Sequence, residues 1–287
     1  MGVELALMLR GEVINCDSIQ LYEGVCVATG EISREERRGV PHHLIDFVSP
    51  NVSYTAGEWA QAANQKIEEI VARSHTPILV GGTGFYLRAF LNPLFPSPAT
   101  DDALRSRLNT LRKERGADYV YRILQRLDPE RAKILHPGDW PRVQRALEVY
   151  LQTGRRISEA LDTGKRTGWE DRIRIFVLDP PRAELYSRIN ERVDTWFGKE
   201  LFDEVDSLLS SGVSREARIF TALGYRHALV YLEGRWSREE AIERMKIDTR
   251  RYAKQQLTWW RSWPNVTWIH RFGNDAEAAR EILALLK

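Results

Sequence analysis

The sequence predicts an α/β fold, with a parallel sheet core, a helical insertion domain and a helical C-terminal part. Three observations predict it. The short apolar runs Val13-Ile14-Asn15-Cys16 and Pro77-Ile78-Leu79-Val80 have the length and composition of buried strands. Each ends in residues suited to the carboxyl edge of a sheet, where ligands of open α/β folds bind: Asp17 after the first, Gly81-Gly82-Thr83 after the second. Between them and the next strand-like run, Ile173-Arg174-Ile175-Phe176-Val177-Leu178, lies a long, charged stretch of helical pattern.

Composition sets the outer bounds. With 287 residues and 43% apolar content, the chain can build one large core or two unequal domains. Its 42 basic and 40 acidic residues leave a net charge of +2, so nucleic-acid binding would need a local basic patch. Cys16 and Cys26, the two cysteines, make neither a disulfide framework nor a zinc site, which predicts a reducing, cytoplasmic setting. No apolar run approaches the roughly 20 residues that span a bilayer. The first ten residues lack the basic start and cleavage site of a signal peptide.

In chain order, the first strand delivers Asp17 to its C-terminal end. A carboxylate there can accept a proton or hold a metal-bound water, and Asp is equally a favoured cap for the segment that follows. Pro41-His42-His43-Leu44-Ile45-Asp46 comes next; successive side chains of an extended segment point to opposite faces, which favours structural or substrate-contact roles for the two histidines over metal binding. Residues 55–74 read as a helix with Trp59, Ala63, Ile67 and Ile70 on its core face. After the second strand, two glycines allow a sharp turn and close approach to a ligand. Thr83 then either caps the next helix or turns its hydroxyl into the crevice of Asp17.

Pro93, Pro96 and Pro98 mark a boundary, giving a core of residues 1–96 and 171–287 around an insert of residues 97–170. Near the end of the insert, Pro141 suits the first turn of a helix, and Arg142 and Arg145, three apart, share a face. That face suits phosphate, or ion pairs on a solvated surface. Helices are then expected over residues 183–196 and 202–209, followed by the turn Thr221-Ala222-Leu223-Gly224-Tyr225-Arg226. Ser237 with Glu240 reads as a capping box opening a long helix that reaches about Trp260. Its Lys246, Arg250, Arg251, Lys254 and Arg261 interleave with Tyr252, Trp259 and Trp260, a pattern that fits phosphate neutralisation with base stacking, or a core face backed by a basic one.

Six segments in order carry a resemblance: Asp17-Ser18-Ile19-Gln20-Leu21-Tyr22, Pro41 to Asp46, Gly81-Gly82-Thr83-Gly84-Phe85-Tyr86-Leu87, Arg142-Val143-Gln144-Arg145-Ala146-Leu147-Glu148-Val149, Ala222 to Arg226, and Ala253-Lys254-Gln255-Gln256-Leu257-Thr258-Trp259-Trp260-Arg261. Together they resemble the tRNA dimethylallyltransferase family, to about Trp263. The resemblance implies a P-loop-kinase-like core and transfer of a dimethylallyl group from its diphosphate to N6 of the adenosine at tRNA position 37. It implies tRNA, through its anticodon stem-loop, and dimethylallyl diphosphate as partners, Mg2+ as cofactor, and a cytoplasmic monomer with no membrane contact. Asp17 matches the family's general base, Thr83 a hydroxyl that positions the adenine, and Arg226 a substrate-contact motif. Asp17, Ser18, Ile19 and Gln20 match tRNA-contacting positions, as do Pro141, Arg142, Val143, Gln144 and Arg145, then Thr221, Ala222, Leu223, Gly224, Tyr225 and Arg226, then Lys254 to Arg261; Arg105 aligns with a further one.

The family's phosphate loop, Gly-x-x-x-x-Gly-Lys-Ser/Thr, has no counterpart here. Gly2-Val3-Glu4-Leu5-Ala6 resembles the helix just after it, so the sequence is expected to start beyond the first strand and loop. A truncated start and an RNA-binding remnant without its diphosphate site both fit, and the chain as given is expected to bind dimethylallyl diphosphate poorly. No Cys-x-x-Cys follows Trp263, which points away from the zinc-tailed eukaryotic type. An enzyme acting on free adenine nucleotides would not need the basic insert and the aromatic-basic helix.

Overall fold

The computed structural model describes residues 1–92, 98, 100–161, 168–169 and 172–286. The chain forms two compact units, one of Met1–Phe90 with Asp171–Lys287 and one of Leu91–Glu170.

The first unit begins with α1 (Gly2–Leu9), which turns at Arg10 in the left-handed conformation into β1 (Gly11–Asn15). All five residues of β1 are buried, the mark of a central parallel strand. Beside it run β2 (His42–His43), pairing Val13 with His42, and β3 (Thr76–Val80), pairing Gly11 with Thr76 through to Asn15 with Val80; both ladders are parallel. Between them lies α2 (Ala56–Ala72), started by a reciprocal capping box of Thr55 and Glu58. Its Trp59, Ala63, Ile67 and Ile70 are buried, as their spacing predicts. After β3 comes α3 (Gly84–Leu91).

The second unit is helical: α4 (Asp102–Arg115), α5 (Ala117–Leu127), α6 (Pro129–Ile134), α7 (Trp140–Thr153) and α8 (Ile157–Leu161). Leu108, Val120, Leu124, Val143 and Leu147 close its core. Asp101 caps α4 through Leu104 N–H, Asp128 caps α6 through Arg131 N–H, and Pro141 sits in the first turn of α7.

The chain then returns to the first unit with β4 (Ile175–Leu178), two residues inside the predicted run. Helices α9 (Arg182–Trp196) and α10 (Lys199–Ser210), a 3-10 turn (Arg218–Thr221), α11 (Tyr225–Leu232) and α12 (Arg238–Arg261) follow. The C-terminal part is not wholly helical, because β5 (Val266–Ile269) pairs parallel with β4 before α13 (Ala276–Leu285) ends the fold. Among the described residues β4 and β5 form a ladder separate from that of β2, β1 and β3. One apolar layer serves both, with Leu5, Ile78, Phe176, Ile269 and Ile282 in contact around α1 and α13. The predicted capping box at Ser237 is half formed. Ser237 accepts from Glu240 N–H, whereas the Glu240 carboxylate takes two hydrogen bonds from Arg244, a charged partner one turn on.

One buried polar network ties the sheet together at the end away from Asp17. Glu12 of β1 accepts from His43 Nε2 at 2.6 Å, His75 Nδ1 at 2.7 Å and Arg73 Nη2 at 2.9 Å. Burial alone would raise its pKa, but hydrogen bonds from Arg73, His43 and His75 outweigh it and hold the carboxyl at about 2. His43 is therefore a structural residue. His42 turns the other way, its Nδ1 2.8 Å from Val40 carbonyl oxygen.

Candidate active site

Asp17 leaves the end of β1 held from three sides. Its N–H donates to Asn15 Oδ1 at 3.1 Å, and the buried Asn15 amide donates in turn to Leu44 O at 2.9 Å. Trp59 Nε1 donates to Asn15 O at 2.9 Å, so a core tryptophan also fixes the strand end. Asp17 Oδ1 accepts from Ile19 N–H at 2.8 Å and Gln20 N–H at 3.3 Å, the cap-like arrangement that Asp favours. Its other oxygen, Oδ2, accepts no hydrogen bond from the described residues. One oxygen builds the turn and the second is free of it.

The Gly81-Gly82-Thr83 turn sits directly on this strand end. Cys16 N–H donates to Val80 O at 2.8 Å, and Thr83 N–H donates to Cys16 O at 3.2 Å. A Cβ on Gly81 would lie 2.2 Å from Cys16 O, so only glycine allows the approach. Thr83 Oγ1 accepts from Ser18 N–H at 3.1 Å and lies 3.4 Å from Ser18 Oγ. The structure thus joins Thr83 to the residue next to Asp17.

Helix α12 closes the same turn. Gln256 Nε2 donates to Gly82 O at 3.1 Å, and the Trp259 ring packs where a side chain at Gly84 would be, 2.1 Å from an ideal Cβ. Arg88 of α3 lies over the rings of Trp259 and Trp263, 5.6 and 5.7 Å from their centroids. Tyr252, one turn before Gln256, has its phenol pKa raised by burial and by the charge of Asp17. Tyr86, stacked on Trp59 at 4.9 Å, has its pKa raised by burial against the opposing charge of Arg218. Asp17, Thr83, Tyr252 and Gln256 therefore form one cluster. Ser18 and Tyr252 stand in segments the sequence singles out; Asn15, which anchors the Asp17 turn, reads there only as part of the strand.

Arg226 stands at the start of α11 and pairs with Asp248 of α12 at 2.6 Å. His227 shares that carboxylate at 3.3 Å; burial and the Arg226 charge lower its pKa, which favours the neutral ring. Asp248 lies one turn before Tyr252, so α12 links Arg226 to the Asp17 cluster. Tyr225 is fully buried and its hydroxyl bonds Glu204, which also accepts from Cys26 and Val27 N–H groups. Thr221 Oγ1 donates to Arg218 O at 2.7 Å and the Gln20 amide to Thr29 O at 3.1 Å, so these side chains brace their own loops.

The remaining predicted contacts lie in the helical unit. Arg105 and Arg145 both pair with Glu148, which is fully buried, at 3.2 and 2.7 Å. Asp101 N–H completes that carboxylate at 2.9 Å. Arg142 is exposed and pairs with Asp139 at 2.9 Å, while Gln144 Nε2 is 3.3 Å from Arg105 O. Arg142 and Arg145 thus do not form one open fork: the first reaches solvent and the second is drawn to a buried acid. Among the described residues, no three His, Cys, Asp or Glu side chains gather as a metal cage, and no helix is long and apolar enough to cross a membrane.

Comparison with known proteins fits this geometry. Residues 20–263 match the family model described as IPP transferase. This chain belongs to the IPP transferase family. The tRNA dimethylallyltransferase of Solibacter usitatus is 44% identical over 278 residues, 96% of this chain and 90% of that protein. The solved tRNA isopentenylpyrophosphate transferase of Bacillus halodurans superposes with a TM-score of 0.71 at 36% identity, covering 99% of this chain and 89% of that one. A eukaryotic dimethylallyltransferase solved while acting on tRNA superposes with a TM-score of 0.79 at 27% identity, covering 99% and 74%. The α/β core with its helical insertion is the fold this family shares.

Proposed function

We propose that this chain is a tRNA dimethylallyltransferase: it transfers the dimethylallyl group of dimethylallyl diphosphate to N6 of adenosine 37, beside the tRNA anticodon. The observation that carries the reading is the Asp17 carboxylate: one oxygen is fixed by backbone N–H groups, the other accepts no hydrogen bond from the described residues, and the neighbouring Ser18 is joined to the Thr83 hydroxyl. An exocyclic adenine amine is a weak nucleophile, since its lone pair is delocalised into the ring. Asp17 Oδ2 takes an N6 proton as the new N–C bond forms. The bond from dimethylallyl carbon to oxygen breaks, and diphosphate leaves with the electron pair. General-base help of this kind contributes typically ~10² to 10⁴-fold. Thr83 and Ser18 hold the turn and offer hydroxyls to the purine, and Tyr252 walls the base on the α12 side. A base reaches such a pocket only when splayed from its loop, as single-stranded RNA permits.

Arg226, already oriented by Asp248, is the cation assigned to substrate contact. Mg2+ is held by few protein groups and several waters, together with substrate phosphates. Bound with the diphosphate, the cation would neutralise its charge, and Asp17 would serve as base. The segments Ser18 to Gln20, Pro141 to Arg145, Thr221 to Arg226 and Lys254 to Arg261, with Arg105, are assigned to the anticodon stem-loop. The protein is assigned to the cytoplasm as a monomer.

The test incubates the purified chain with dimethylallyl diphosphate, Mg2+ and an anticodon stem-loop RNA, with product read by mass spectrometry of nucleosides. The expected product is N6-dimethylallyladenosine from A37, absent when purine replaces that adenine. Equal modification of free AMP, or none of the RNA, would overturn the proposal.

A further inference from the structure

Helix α12 carries two different faces. At about 100° per residue, Tyr252, Gln256 and Trp259 fall together, and they meet the Gly81-Gly82-Thr83 turn. Lys254, Leu257, Thr258 and Arg261 fall on the opposite side, where they line a separate cavity of about 390 Å³. The cavity opens at the carboxyl ends of β4 and β5, between Asp179 and His270, which follow those strands. That is the sheet edge at which α/β folds take ligands. The volume is in the range of ordinary ligand sites.

Its charge is one-sided. Arg182, Lys254 and Arg261 all face it, and Asp179 is the one carboxylate among its lining residues. Asp179 is already engaged, its carbonyl oxygen 3.2 Å from His270 Nδ1 and its carboxylate 3.9 Å away. Lys254 and Arg261 form no side-chain hydrogen bond or ion pair with the described residues. Arg182 is held in place by a neutral partner: its Nε donates to Tyr186 hydroxyl at 3.1 Å and its guanidinium lies 5.1 Å from that ring's centroid. A positioned guanidinium whose Nη atoms lack an acid, beside two unpaired cations, is suited to a phosphate group. Arg73, Arg105, Arg145 and Arg226, by contrast, are each paired with an acid.

We infer that this cavity is a phosphate-binding pocket, distinct from the Asp17 cluster, in which Arg182 acts with Lys254 and Arg261. The phosphate is either a backbone phosphate of the RNA or part of a free diphosphate. The RNA source rests on the proposed function, and the diphosphate source does not.

The experiment compares wild type, Arg182→Gln and Arg182→Lys. Stem-loop RNA affinity is measured by fluorescence anisotropy across a salt series, and inorganic pyrophosphate affinity by calorimetry. For an RNA phosphate, Arg182→Gln weakens binding about 3- to 10-fold at low salt and lowers the slope of log K against log salt by about 0.7 to 0.9. Arg182→Lys restores the slope, and the rate at saturating RNA stays at the wild-type value. For a free diphosphate, Arg182→Gln lowers pyrophosphate affinity and leaves the RNA slope alone. A lost packing contact with Tyr186 would lower thermal stability without moving either readout. Unchanged slope and unchanged pyrophosphate affinity in Arg182→Gln would overturn the pocket. Failure of wild type to bind RNA at all would instead overturn the proposed function, with pyrophosphate still testing the pocket.

Discussion

Replacing Gly81 with Ala tests whether the second strand's turn holds the first strand's carboxylate in place. The added Cβ would fall 2.2 Å from Cys16 O, 2.3 Å from Cys16 C and 2.8 Å from Cys16 Cα, all backbone atoms. Ordinary carbon contacts lie at about 3.5–4.0 Å, so the strand ends must part by roughly 1 Å. No side chain can rotate away to relieve the overlap. Overpacking of this kind costs about 1–3 kcal/mol, and we expect the upper half of that range. The Thr83-to-Cys16 hydrogen bond is in the same turn, and Asp17 follows Cys16 directly. A displacement of about 1 Å at a catalytic group can lower the rate by about 10²-fold. Urea unfolding measures the first effect and single-turnover transfer the second, with Gly57→Ala as control. Gly57 lies in α2 with Thr55 Oγ1 at 3.9 Å as its only near atom, so alanine there is neutral or stabilising by up to about 1 kcal/mol. If Gly81→Ala matched wild type in stability and rate, the close approach of the two strand ends would be wrong.

Other perturbations probe separate parts of the account. Glu12 binds protons less readily in the fold, at about 2 against an ordinary 4.5, so its contribution is complete above pH 4.5 and lost as pH falls toward 2. That shift corresponds to about 3 kcal/mol, and the urea-measured gap between wild type and Glu12→Gln should shrink across this window. A gap independent of pH would exclude the network. Thr83→Val removes the acceptor of Ser18 N–H; we expect a loss of about 1 kcal/mol and a transfer rate at least 10-fold lower, both largely restored in Thr83→Ser. A valine variant of full activity would remove the hydroxyl from the site. Burial and the charges of Glu31, Glu204 and Asp46 push the Cys26 thiol up to about 12. Iodoacetamide should therefore label it far more slowly at pH 8 than a free thiol, and rapid labelling would contradict that environment.

The strands that carry the site were legible because their signals are local. Val13 to Cys16 is a short, mainly apolar run, and Gly81-Gly82 announces a turn after another. The core face of α2 and the start of α12 at Ser237 follow from spacing and cap chemistry in the same way. What was not legible depends on distant partners. Glu12 reads as one more charge in the sequence, yet it gathers His43 from β2 and Arg73 and His75 from the turn between α2 and β3. Glu148 likewise reads as part of a basic helix, whereas its burial draws in Arg105 and Arg145. Strand β5 is four residues long and follows a tryptophan-rich helix end, so no periodicity separates it. The Lys254 to Arg261 segment read as one surface; helix geometry divides it between two sides of α12.

The central claim concerns one oxygen of Asp17, and Asp17→Asn addresses it most directly. The amide keeps an oxygen to accept from Ile19 and Gln20 N–H, so the turn and the thermal stability should stay close to wild type. It cannot accept the N6 proton. With RNA and dimethylallyl diphosphate both saturating, single-turnover transfer should fall about 10²- to 10⁴-fold while RNA affinity changes little. A folded Asp17→Asn variant that transfers the dimethylallyl group at the wild-type rate would contradict the account.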